Sequence, residues 1–191
     1  MEKTLDIWLE ALKTQKILQE ELHKTQGVSP GVEAAYLAVV AEVGEFLSEV
    51  KSQWAWWKRE DKTFSTSSDK ALEELADVLH FVLIVILLAR GTNPEDSLRV
   101  DYHRYVSQNP SPRVIVLQDR AVHELLYLAG ALSFVETSFS YTVNIAELLE
   151  SVVELGQAFS LSVTPKKLLE VYKKKARVNL ERWGADPSIL G

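Results

Sequence analysis

No cysteine occurs in these 191 residues, which excludes disulfides, zinc–thiolate sites and thiol nucleophiles together. A surplus of positive charge is also missing. The formal net charge is −6, whereas sequence-independent binding to a nucleic acid backbone needs a basic face; no nucleic acid polymer is expected as partner. An anionic small substrate stays open, because bound metal ions reverse a local field. Nor is there an apolar run suited to a bilayer: the most apolar stretch, residues 78–89, is interrupted by His80 and too short to span comfortably. It reads as a buried core helix. The N-terminal MEKTLDIWLEALKTQK alternates charged and apolar residues and lacks a signal-peptide core, so a cytoplasmic protein with no membrane partner is expected. No internal repeat or low-complexity tract is evident. What remains is an ordinary globular balance of 47% hydrophobic and 25% charged residues. The length fits one domain, residues 1–191, with a real core.

Apolar periodicity is helical nearly throughout. Ile7, Leu9, Leu12, Ile17, Leu18 and Leu22 mark a first amphipathic helix ending near Gly27. Ser29 followed by Pro30 reads as an N-cap with proline in the first turn of a second helix, which runs to about Lys58. Residues 62–68 form a polar loop, and Asp69 caps a third helix over 70–90 that Gly91 closes. Asn93-Pro94 opens a short helix with Glu95 and Asp96 in its first turn. Residues 107–113 (SQNPSPR) are the expected flexible loop. The tetrad 114–117 is briefly β-like, and helical patterns follow around 119–134 and 143–161. Thr164-Pro165 repeats the cap-plus-proline pattern and opens a last helix toward Trp183, stopped by Gly184. The expected class is all-α.

Two acidic pairs stand out on this background. Glu42 with Glu45, and Glu74 with Asp77, are each spaced i, i+3 on otherwise apolar helices. Facing each other, they would gather up to four negative charges in a half-buried site, which is too costly to leave unneutralised. Hard oxygen ligands without thiolates point to Mg²⁺, with Mn²⁺ as the alternative. Glu49 continues the Glu42–Glu45 face, and no lysine breaks it between 42 and 49. The plainer reading makes that face simply the outer surface of an amphipathic helix. Asp77 resists it, since an acid inside LADVLHFVLIVILLA needs a partner. His80 fits a hydrogen-bonded core histidine, or, one turn after Asp77, a group that orients a ligating carboxylate or touches substrate. Asp77-x-x-His80 faintly imitates half of a di-iron bundle motif, and this half-match carries little weight.

On the last helix, Tyr172, Lys175, Asn179 and Arg182 share one face, with Lys173, Lys174 and Arg177 adding charge. Cations near a helix C-terminus favour its dipole and can simply be solvated. Beside a metal site, the same cations suit a phosphate chain. Trp54, Trp56 and Trp57 follow the acidic stripe and fit either stacking on a nucleobase or packing.

The blocks AEVGEFLSEVKSQWAWWK, EELADVLHFVL and YKKKARVNLERW resemble those of the dimeric, all-α dUTPases. That family sits in the all-α nucleoside triphosphate pyrophosphatase superfamily with the MazG-like and dCTP pyrophosphatases. The acidic pairs carry the resemblance to the superfamily, and Lys175, Asn179 and Arg182 narrow it to the dUTPase branch. The resemblance implies a helical bundle, a homodimer, and hydrolysis of dUTP and dUDP to dUMP, with Mg²⁺ held by Glu42, Glu45, Glu74 and Asp77. It further implies phosphate contacts from Lys175, Asn179 and Arg182, a uracil contact from Gln19, and substrate contacts from Lys51, Trp57 and His80. The family asparagine that follows the glutamine is His23 here, and the glutamine after the arginine is Trp183. Glu45 is the candidate base that takes a proton from the attacking water, with Glu49 as the fallback. A related pyrophosphatase acting on another nucleotide such as dCTP, and a helical metal-binding protein without catalysis, are the alternatives.

Overall fold

In the computed structural model, residues 2–55, 68–91, 93–108 and 144–191 are described. They form helices α1 (Glu2–Gln26), α2 (Val32–Glu49), α3 (Lys51–Trp54), α4 (Ser68–Arg90), α5 (Pro94–Gln108), α6 (Ile145–Ala158) and α7 (Pro165–Trp183), followed by a 3₁₀ turn, Pro187–Leu190. Among the described residues there is no strand. The expectations for 56–67, 109–143 and residue 92, including Trp56, Trp57, the 114–117 tetrad and the 119–134 pattern, fall outside the described residues.

The apolar run read from the sequence becomes α4, the axis of the bundle. Leu75, Val78, Leu79, Val82 and Leu83 are fully buried on it, and it packs against α1, α2, α5, α6 and α7. None of the described helices is long and apolar enough to cross a membrane. Where α4 meets α6, Gly156 leaves the space the helices need: a Cβ there would lie 2.6 Å from Leu75 Cδ2 and 2.8 Å from Val163 Cγ1.

Several helix ends follow their local signals. Gly27, Gly91 and Gly184 all have positive φ directly after a helix, the conformation only glycine adopts without strain. The Thr164 hydroxyl accepts from the Lys167 N–H at 3.2 Å, with Pro165 in the first turn. The start of α2 differs from expectation. It begins at Val32, and its N-cap is Gly31, with no side-chain cap. Ser29 stands two residues before that cap, and its hydroxyl shares a 3.0 Å hydrogen bond with His23 Nδ1. The far end differs too: Val50 leaves helical geometry, and α3 is a single turn beyond it.

Long-range polar links fix the remaining helices. Trp8 Nε1 donates to Glu150 Oε1 at 2.8 Å, joining α1 to α6. Asp101 on α5 accepts from the Ile145 N–H at 2.9 Å through Oδ2, and its carbonyl accepts from Asn144 Nδ2 at 3.1 Å. The Asn144 side chain in turn caps α6 by accepting from the Glu147 N–H.

Candidate active site

The carboxylate spacing acts as the helical repeat requires. Because α2 lies along α4, the two i, i+3 pairs face one another. Oxygens of Glu42, Glu45 and Glu74 lie within 4.8 Å of each other. Asp77, one turn on from Glu74, is engaged differently: its Oδ2 accepts from Lys175 Nζ, which also donates to the Glu73 carbonyl at 3.1 Å. Lys175 comes from α7, so three helices converge at the acids.

Crowding shows in the protonation of these groups. Burial, then the charges of Asp77, Glu45 and Glu74, push Glu42 from its ordinary 4.5 up to about 7. Burial also raises Glu74 and Asp77, with Lys175 opposing the shift at both. Carboxylates gathered this way favour protonation unless a cation joins them. The donor set therefore fits a hard divalent ion: all-oxygen, anionic, and already convergent.

Beside the acids opens a cavity of about 580 Å³, a size suited to a nucleotide. Glu42, Glu73 and Asp77 form part of its wall, and Lys175, Asn179 and Arg182 contribute from α7. Gln19, His80 and Phe81 line it as well. His80 is pushed down to about 4 by burial and then by the Lys175 charge, so its ring is neutral at pH 7. Its ring stands 6.2 Å from that of Tyr172.

The cavity wall contains residues that the sequence reading did not single out. Gln15 borders the cavity yet is 1% exposed, and its Oε1 accepts from the buried Tyr172 hydroxyl at 2.8 Å. A glutamine one turn before Gln19 was the available signal, but its tie to Tyr172 spans two ends of the chain. Trp183 and Pro30, read from the sequence only as marks of helix ends and of the resemblance, also line the cavity. Other expected residues stand elsewhere. His23 is exposed and bonded to Ser29. Lys51 lies on α3 and is not in the lining, while Trp54 turns its indole N–H to the Leu47 carbonyl at 2.9 Å. Trp57 is outside the described residues. Glu49, one turn past Glu45, receives a hydrogen bond from Lys70 Nζ.

The raised acids make a stability prediction. A carboxyl whose folded pKa exceeds its unfolded value binds its proton more tightly when folded. Its stabilising contribution is full below the unfolded pKa and is lost as pH rises through the folded one. In EDTA, the melting temperature should therefore fall between about pH 4.5 and pH 7, the window spanned by Glu42. Calorimetric scans across that range should show a shallower fall for Glu42→Gln. A melting temperature that climbs over the window would contradict the crowding.

A family model described as dUTPase matches residues 7–185. No curated protein and no solved structure gives a significant match.

Proposed function

The chain belongs to the dUTPase family and is a dUTP diphosphatase, and we propose that it converts dUTP, and dUDP, to dUMP in a site held by α1, α2, α4 and α7. The observation that carries this is the meeting of Glu42, Glu45 and Glu74 within 4.8 Å beside a cavity whose wall includes Lys175, Asn179 and Arg182. One side is anionic and metal-seeking, the other cationic and phosphate-seeking.

Glu42, Glu45, Glu74 and Asp77 would hold Mg²⁺. A divalent ion held there would supply charge to neutralise phosphate oxygens and to make a water more acidic. The protein does the rest by placement. Arg182 and Lys175 donate to phosphate oxygens, and Asn179 adds its amide. Glu45 takes the proton of the attacking water at a carboxylate oxygen. Little covalent work is asked of the protein, so orientation and fixed charge carry the rate.

The cavity also suits a pyrimidine deoxynucleoside. Leu18, Leu22, Ile84, Phe81 and Trp183 line it with apolar surface. Tyr172 occupies the Gln15 amide oxygen, which leaves the amide nitrogen as donor for a base carbonyl. Gln19 supplies a second amide. His80, neutral at pH 7, offers one donor and one acceptor to sugar or base.

Homodimer formation is supported by α2, whose Leu37 is 66% and Val40 49% exposed among the exposed Ala34, Ala41 and Gly44. Such a stripe favours removal from water. We place the whole of residues 1–191 in one catalytic domain, and its action on a soluble nucleotide fits the cytoplasm.

The test is pyrophosphate release from a panel of dNTPs, with and without Mg²⁺. dUTP should be the preferred substrate, and EDTA should abolish turnover. Preference for dCTP would overturn the uracil assignment alone. Full activity in EDTA would overturn the metal assignment.

A further inference from the structure

Lys175 is placed to do two things that exclude each other. Its ammonium holds Asp77 and the Glu73 carbonyl, yet it lines the cavity next to Asn179 and Arg182. Asp77 is the member of the acidic quartet outside the three-carboxylate convergence, and Lys175 is the cation that neutralises it. A lysine suits a mobile role of this kind: it is a point charge on a flexible four-carbon stem, able to swing without changing its donors.

We propose that Lys175 is a place-holding cation. It neutralises Asp77 in the metal-free protein and passes to substrate phosphate when a divalent ion takes Asp77. The idea rests on assigning the four acids to that ion. Two cations cannot share one partly buried carboxylate without mutual repulsion, so arrival of the divalent ion at Asp77 weakens the hold on Lys175. The released ammonium stands at the phosphate wall. Metal and nucleotide binding then favour each other, and by linkage each must raise the affinity of the other by the same factor. Lys175 thus joins the phosphate wall only when the metal is in place.

The experiment is calorimetric titration with MnCl₂ and no nucleotide. Lys175→Met keeps the apolar stem and removes the charge. It should bind Mn²⁺ about tenfold more tightly than wild type, a size usual for coupling between sites. An Asp77→Asn background separates direct competition from a general field. There, Lys175→Met should change Mn²⁺ affinity by less than about twofold, because the contested carboxylate is gone. Lys175→Gln serves as a second charge-free variant if the methionine form folds poorly. Equal Mn²⁺ affinity in wild type and both variants overturns the place-holding role and leaves the metal assignment standing. So does a gain that persists undiminished in Asp77→Asn. A wild type that binds no Mn²⁺ overturns the metal assignment, and this inference with it.

Discussion

Glu45→Gln should lower kcat about a thousandfold, the middle of the range that a general base contributes, while dUTP still binds within a few-fold of wild type. The reasoning starts from geometry. Glu45 is exposed and stands within 4.8 Å of Glu42 and Glu74 oxygens, beside the place where a phosphate chain would lie. Glutamine keeps the side-chain shape and one oxygen, so binding survives, but it cannot accept a proton from water. Glu49 shares the face one turn on, and Lys70 Nζ occupies its Oε1. That contact pushes the Lys70 pKa up, chiefly through the hydrogen bond, as expected where a carboxylate is committed to an ammonium. Glu49→Gln should therefore cost less than about tenfold in kcat, below the contribution of a positioned base. Single-turnover kinetics at saturating Mg²⁺ distinguish the roles. If excess Mg²⁺ restores Glu45→Gln, the residue serves the metal alone and is not the base. If Glu49→Gln shows the larger loss, the base is Glu49.

The parts of this molecule legible from sequence are those decided within a turn or two of the chain. Gly27 and Gly184 end α1 and α7 because glycine takes their positive φ without the clash a Cβ would bring. Thr164 caps α7 because its hydroxyl is three residues from the N–H it serves. The i, i+3 acids declare their shared face for the same reason. What the sequence conceals is decided by partners far away. The start of α2 is a nearer exception: Ser29 looks like a cap, but its hydroxyl shares a bond with His23 six residues before it, and α2 starts later, at Val32. Gln15 looks like one more polar position of an amphipathic helix until Tyr172, 157 residues away, locks its amide. Lys175 reads as a phosphate ligand from its own helix face, and its hold on Asp77 spans 98 residues. The acidic half of the site is thus local and readable, whereas the pairing of its cation is tertiary.

Asp101→Ala should lower stability by about 3 kcal/mol, the low end of the cost of stripping one partner from a buried ion pair. The site itself should be untouched. Asp101 is 7% exposed. Its Oδ2 accepts from the Ile145 N–H and lies 3.5 Å from Arg90 Nη2, while Oδ1 faces Arg104 Nη1 at 3.5 Å. Alanine leaves the first N–H of α6 without its acceptor, and an unmet buried donor costs roughly 1–3 kcal/mol by itself. It also leaves the nearly buried Arg90 guanidinium, 9% exposed, without a countercharge that α5 now provides. At roughly 2–4 °C per kcal/mol for a chain of this size, the melting temperature should drop by about 6–12 °C. Asp101→Asn separates the two contributions. Its amide oxygen still accepts from Ile145, and only the charge is lost, so its drop should be the smaller. Because Asp101 does not line the cavity beside the acids, kcat and KM for dUTP measured well below the melting temperature should match wild type in both variants. An alanine variant as stable as wild type would show that Asp101 contributes no net stability to the α5–α6 junction. Loss of activity at full stability would move Asp101 from the fold into the reaction.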